Sequence, residues 1–374
     1  LYLMLSRHLD FLFNDASHRI GPGSDFWALY NAGKHWRLGN DIYNQGPGYG
    51  FRYHPILAMT VLSVISLLKH ATAYAVWVVI NELLLLTVLP FLRRMIANAR
   101  HFLIALAFLV FFSPLYLEIY MGNASLMAAA LMLIAFYYFE SRPYARFFPL
   151  YLLSILIKPI GLLFLPILLF KKRIKMAVLT VVIYAGLAIP YFVLHPGDWH
   201  AMMSVNFEGY TVNPGFLLHG GNQGFYALAL LIAASLNSIA AIDFFSLSQL
   251  STLSMLLVRA IPYAFVLVAL WITYRLRHQP HLHLLLFLWS ATYLLGYKDI
   301  WEHSYSFLIF GLPFLYLSRN IGPGLLLICS AAMALPTLFA FYDITFYYDT
   351  FNDPDWYWSF PVSLLHHATK PIWL

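Results

Sequence analysis

Long apolar runs separated by short polar turns dominate this chain. A helix rises about 1.5 Å per residue and a bilayer's hydrocarbon core is about 30 Å thick, so roughly 20 apolar residues make a crossing. Clear runs are Ala73–Leu92, Phe102–Ile119, Ser125–Phe139, Ile174–Leu194, Leu253–Tyr274, Leu282–Tyr297, Ser304–Leu317 and Gly324–Tyr342. Two weaker ones are Pro55–Leu68, which opens on a proline, and Tyr226–Ile242, which carries Asn237 and Ser238. Lys158-Pro159 breaks Arg146–Phe170 into halves that each make only about 18 Å of helix, too short to cross alone. Leu1–Phe13, interrupted by Arg7, His8 and Asp10, reads as the outer end of a first span. The pattern predicts an all-α, polytopic transmembrane helical bundle. It would have about 9–12 membrane segments plus outer juxtamembrane helices. A single integral membrane domain over residues 1–374 is expected.

Composition points the same way. Hydrophobic types make up 61% of the 374 residues and charged types 10%. About 45–50% and 25% are usual in soluble domains. Mean hydropathy is +0.71. Too few charges remain to cover a soluble exterior, which excludes a nucleic-acid binder and a disordered chain. The single cysteine, Cys329, excludes a disulfide framework and a cysteine-based zinc site.

The net charge of +6 is a matter of topology. Basic clusters stand at Arg93, Arg94 and Arg100; at Arg142 and Arg146; at Lys171, Lys172, Arg173 and Lys175; at Arg275 and Arg277; and at Arg319. Cytoplasmic loops collect such residues, and placing all of these inside leaves Glu140 as the one acid on that side. Arg146–Phe170 must then be a hairpin that starts and ends inside with Lys158 near its tip. Pro55–Leu68 and Tyr226–Ile242 must lie along the outer surface or re-enter it. The longer irregular segments fall outside, so the working site is expected there.

Ionisable residues inside such a chain are functional candidates. Lys158 sits at the hairpin break, where an ammonium and freed backbone groups suit an anion; a snorkelling lysine is the alternative. Glu82, beside Asn81, reads as a structural hydrogen-bonding group in need of a partner, and Arg259 either reaches an outer-leaflet phosphate or snorkels. Asp25 opens the amphipathic stretch Ser24–Gly33, and Ser24 or Asp25 reads as its N-cap. His303, within Lys298–Tyr305, is either a solvated interfacial histidine or a donor to a phosphate. No His-x-x-x-His motif appears, and Asp353-Pro354-Asp355 is a poor metal match in an aromatic tail. Gly220-Gly221-Asn222-Gln223-Gly224 lacks the Lys-Ser/Thr of a nucleotide-phosphate loop, so neither a metal nor a nucleotide cofactor is expected.

Five segments, taken in order, resemble a known family. The first outer segment holds Asp25-Phe26-Trp27, Tyr30-Asn31-Ala32, Gly39-Asn40-Asp41-Ile42-Tyr43 and Phe51-Arg52-Tyr53-His54-Pro55. Next come Glu118–Ser125 with its Gly122-Asn123 turn, Leu156-Ile157-Lys158-Pro159 before the basic Lys171-Lys172-Arg173, Asn222-Gln223, and Trp301–Tyr305. Over about residues 20–320 the chain resembles the polyprenyl-phosphate-sugar-dependent glycosyltransferases of the GT-C type. The nearest likeness is to glycosyltransferase family 87, which includes bacterial α-1,2-mannosyltransferases. It departs from the family at His54, where a proline is usual, and at Asn123 and Ser125.

The resemblance implies a hexosyltransferase of the bacterial cytoplasmic membrane with its site facing outside. The donor would be a polyprenyl-phosphate-linked sugar, with mannose expected, and the acceptor a lipid or glycan. It implies Asp25 as general base and Lys158, His303 and Arg52 as ligands of the donor phosphate. Asn123, Asn222 and Gln223 would hydrogen-bond the sugar, and Trp27, Tyr30, Tyr53 and Trp301 would stack on sugar or prenyl chain. A transporter or flippase of lipid-linked sugars is the rival reading. It predicts a second broken helix matching Lys158-Pro159, and the sequence holds none.

Overall fold

The computed structural model describes residues 21–43, 50–96, 98–139, 144–203, 222–236, 252–278, 282–297, 299–311, 323–335 and 368–374. The expectations for Leu1–Phe13 and Asp353–Asp355 lie outside these. Among the described residues every regular element is a helix, and one isolated bridge pairs Asn222 with Trp301. They cluster into two compact units: residues 21–97 and 118–209 form the body of unit 1, and 98–117 and 210–374 that of unit 2.

Unit 1 begins with α1 (Ser24–Arg37), followed by Pro55–Ile65, termed α2, an α-helix with a π turn over Ala58–Leu62. Then comes α3 (His70–Met95). The next two helices, α4 (Ala99–Phe111) and α5 (Ser113–Met121), are bent by 47° at Phe112; α4 belongs to unit 2, and the end of α5 from Glu118 to unit 1. Unit 1 continues with α6 (Ser125–Phe139), α7 (Tyr144–Ile157), a 3-10 turn (Pro159–Phe164), α8 (Leu165–Phe170), α9 (Ile174–Leu194) and α10 (Pro196–Met203).

At the centre of unit 1 stands α6, which packs on α7 and α3. A helix apolar on every side must be buried, and from Ser125 to Phe136 every residue of α6 is. Ala128, Ala129, Ala130 and Ala135 let neighbouring backbones come close, the usual device for packing helices in lipid. Ser154 of α7 donates to the Ala128 carbonyl at 2.7 Å. At Gly33, α1 touches the π turn of α2 so closely that a Cβ would lie 2.2 Å from the Leu62 carbonyl oxygen. By contrast α9 shows Val178, Val182, Ile189, Val193 and Leu194 outward, as a lipid-facing helix does.

Unit 2 adds α11 (Phe225–Leu236), α12 (Thr252–Arg275), α13 (Leu282–Gly296), a 3-10 helix (Glu302–Phe310), α14 (Pro323–Ala334) and the C-terminal turn 368–374. Among the described residues three helices are long and apolar enough to cross a membrane: His70–Met95, Ile174–Leu194 and Leu256–Arg275. The bent α4–α5 pair makes a fourth if taken as one span.

Three local expectations are corrected. Phe102–Ile119, read as one unbroken run, is two helices bent by 47° at Phe112, a second break beside that at Lys158-Pro159. The run Ser125–Phe139 is one helix of 15 residues, only about 22 Å long, and serves as a central buried helix. Ser304–Leu317 does not begin as an α-helical span, because Glu302–Phe310 is a 3-10 helix. Its tighter winding coincides with tethers at its start, where Tyr305 donates to the Gln223 carbonyl at 2.7 Å and Glu302 pairs with Lys370.

Candidate active site

The start of α1 is a close junction of three elements. Its N-cap is Gly23, in the left-handed region, and no side chain caps the helix. The expectation that Ser24 or Asp25 is the N-cap is therefore wrong. Gly23 N–H instead donates to the Tyr120 carbonyl at 2.8 Å, and Tyr74 of α3 donates to that same oxygen at 2.7 Å. The Ser24 hydroxyl is buried with no partner among the described residues. Relieved of capping, the Asp25 side chain points to the turn between α5 and α6. There its Oδ2 accepts from Asn123 Nδ2 at 2.6 Å.

That turn needs a glycine. Gly122 has φ +72°, and a Cβ on it would stand 2.7 Å from Phe26 Cβ. Glu118 organises the turn from one helical turn upstream. Its carbonyl accepts from Gly122 and Asn123 N–H, and its Oε1 accepts from Leu126 N–H at 2.9 Å, as an N-terminal cap for α6. Glu118 is fully buried. The sequence reading gave it no role, though an acid in an apolar run just before Gly-Asn was the available signal.

Asn123 Oδ1 gathers donors. Tyr53 hydroxyl reaches it at 3.1 Å, Ala124 N–H at 2.7 Å, Ser125 N–H at 3.2 Å and Ser125 hydroxyl at 3.1 Å. Lys158 Nζ arrives from the break after α7, 3.2 Å from Asn123 Oδ1, and also donates to Ser125 Oγ. The break follows local rules: Lys158 precedes Pro159, which disfavours the helical region, and its backbone is extended at φ −140° and ψ 121°. The charges that act on this ammonium are those of Glu118, Asp25 and Arg52. Burial first, then the Asp25 and Glu118 charges, push the Tyr53 phenol well above its ordinary pKa, so it stays a hydroxyl donor.

His54 caps α2. Its Nδ1 accepts from Ile56 N–H at 3.2 Å, so Nε2 carries the proton toward the Tyr184 carbonyl, 3.0 Å away. Burial lowers its pKa, which favours this neutral form. A second buried carboxylate, absent from the sequence reading, fastens the segment that follows α1. Asp198 Oδ2 accepts from Ile42 N–H at 2.8 Å, Tyr43 N–H at 3.3 Å and the Tyr191 hydroxyl. Nearby, His195 Nδ1 meets Asp41 Oδ1 at 3.2 Å.

Asp25, Asn123, Lys158 and Tyr53 thus come together, with Arg52 in electrostatic reach. Trp27 and Tyr30 stand apart from them, grouped with His70; the Tyr30 hydroxyl donates to the Leu68 carbonyl at 2.9 Å and Trp27 is half exposed. Asn222, Gln223, Trp301 and His303 gather in unit 2. There Asn222 Oδ1 accepts from Gly224 N–H at 2.9 Å and Ile300 N–H at 3.1 Å, and Gln223 N–H donates to the Ile300 carbonyl at 2.6 Å. The Lys370 ammonium is buried against Glu302 Oε1 at 3.3 Å and donates to the Met333 carbonyl at 2.8 Å. Among the described residues no group of three or more His, Cys, Asp or Glu has the arrangement of a metal site.

The fold is that of a polytopic α-helical membrane protein, with a carboxylate, an amide and an ammonium meeting where three helices converge. The sequence model of glycosyltransferase family 87 matches residues 51–296, about two thirds of the chain. The chain belongs to this family and is a membrane glycosyltransferase. The matched stretch contains Arg52, Tyr53, Asn123, Lys158, Asn222 and Gln223, whereas Asp25, Trp27, Tyr30, Trp301 and His303 flank it. No curated protein and no solved structure matches the chain at a significant level.

Proposed function

We propose that the enzyme moves a hexose, with mannose favoured by the family resemblance, from a polyprenyl-phosphate donor to a lipid or glycan acceptor. The site would face the outside of a bacterial cytoplasmic membrane. The reaction needs a base for the acceptor hydroxyl and positive charge for the departing phosphate. The observation that carries the reading is that both meet on one amide, with Asp25 2.6 Å from Asn123 Nδ2 and Lys158 3.2 Å from Asn123 Oδ1.

In the proposed step the acceptor oxygen attacks the anomeric carbon as Asp25 takes its proton. The bond from that carbon to the phosphate oxygen breaks through an oxocarbenium-like state, and configuration inverts. The polyprenyl phosphate leaves toward Lys158 and Arg52. No metal is invoked, since cationic side chains meet the leaving group.

The test is transfer from radiolabelled polyprenyl-phosphate mannose by purified protein in nanodiscs, wild type against Asp25→Asn. Removing a general base typically costs about 10²–10⁴-fold in rate, and that loss is expected with the thermal midpoint unchanged, because Asp25 caps no helix. Full transfer by Asp25→Asn puts the base elsewhere. Failure of the wild type with several polyprenyl-phosphate sugars and acceptors overturns the proposed donor class.

A further inference from the structure

Asn123 is expected from the family resemblance to hydrogen-bond the sugar, but its amide is already spent. We propose that Asn123 is a positioning residue for the base: it orients the Asp25 carboxylate and holds the Lys158 ammonium off it. This rests on the reading of Asp25 and Lys158 given above.

The two ends of an amide side chain are alike in shape, and their identity must be read from the partners. At one end of Asn123 stand Lys158 Nζ, Ala124 N–H and Ser125 N–H, all of which only donate, together with the hydroxyls of Tyr53 and Ser125. That end is therefore the oxygen. The NH2 is thereby turned toward Asp25 Oδ2 at 2.6 Å. A flipped amide would set its NH2 against three obligate donors and its oxygen against a carboxylate. The Gly122 turn and the Glu118 carbonyl fix the backbone below, and the side chain is buried, so rotation has no room.

The consequence is chemical. A direct ion pair between Asp25 and Lys158 would spend the base and the cation on each other. The amide bridges them instead, giving the carboxylate a neutral donor and the ammonium a neutral acceptor. The carboxylate stays able to take a proton, and the ammonium stays able to meet a phosphate. Asn123 also accepts from Ala124 N–H and from the Ser125 N–H that opens α6, so a purely structural role in starting that helix must be separated from this one.

Asn123→Asp separates them. Aspartate keeps an oxygen for Lys158, Tyr53, Ala124 and Ser125 but has no N–H for Asp25 and sets a second carboxylate against it, so the neutral variant that follows isolates the lost N–H from the added charge. Asn123→Ser is a neutral second variant that also caps. Both are measured in nanodiscs for thermal midpoint and for mannose transfer against pH. A donor to a carboxylate favours its charged form, so losing it moves the acid limb of kcat/KM to higher pH.

The expected result for Asn123→Asp is a near-wild-type midpoint, a kcat reduced about tenfold or more, and an acid limb raised by about one pH unit. Asn123→Ser should move the limb the same way by less. A folded variant of either kind with wild-type kcat and an unmoved limb makes Asn123 a cap and overturns the proposal while leaving the function standing. A wild type that transfers no sugar overturns both.

Discussion

Two polar junctions in this protein use the same residue types to opposite ends. In unit 1, Asp25, Asn123, Ser125, Tyr53 and Lys158 bond mainly to one another. In unit 2, Asn222 bonds to the backbone of Gly224 and Ile300, and Lys370 donates to the carbonyls of Met333 and Leu335 as well as to Glu302. A side chain bound to backbone holds a fold, because its partner cannot turn to another ligand. Side chains bound to one another can exchange a partner for a substrate group. On this ground we propose the first junction as the place for chemistry and the second as a clasp for the segment around Trp301.

That contrast is open to breakage, beginning with the largest effect. Lys158→Met removes the charge while keeping a flexible apolar stem, and transfer should fall about 10²–10³-fold with a raised donor KM. Some of the thermal midpoint should be lost as well, because the buried Glu118 carboxylate no longer has the Lys158 charge near it. A variant that melts early yet transfers normally would make Lys158 part of the scaffold.

Lys370→Met should cost stability rather than transfer, since it leaves the buried Glu302 carboxylate without its ammonium. Breaking a buried pair from one side costs about 3–5 kcal/mol, and a thermal melt in detergent should show it. Lys370→Met combined with Glu302→Gln should recover most of the midpoint, because no buried charge is left over. If the double variant stays as unstable as the single one, the pair is not the clasp.

The smallest effect belongs to Asn222→Ala. It leaves two backbone N–H groups without their acceptor, at a cost of about 1–3 kcal/mol. Asn222→Asp keeps the accepting oxygen and should restore the midpoint. A sugar-binding amide would appear instead as a raised KM in both variants, and would narrow the difference between the two junctions.

How much could be read beforehand follows from the range of each force. The run Ile174–Leu194 is the helix found, and Ala73–Leu92 and Leu253–Tyr274 lie inside the helices found, extending by at most three residues at an end. Hydropathy over 20 residues is a local property, and lipid enforces it. The break at Lys158 was equally local, a consequence of the proline that follows. Asp25 was marked by its place in a resembling motif, but its cap reading failed because Gly23, not a side chain, ends the helix. The roles of Asp198 and Lys370 lay beyond reach, since each depends on how elements pack, whereas Glu118 acts on neighbours within eight residues and was signalled by its place before Gly122-Asn123.

The sequence by itself determined the class of the protein and the course of its long apolar helices. It also determined the two points where the backbone must turn, at Gly122 and at Lys158-Pro159. Those follow from transfer to lipid and from backbone sterics, which act on neighbouring residues. The tertiary structure decided which polar group meets which. Asn123 finds Asp25 across 98 positions and Lys158 across 35. In a buried setting a polar atom must find a partner. Which partner it finds is set by the packing of α6 between α3 and α7, and that packing is not written in any one stretch of the chain.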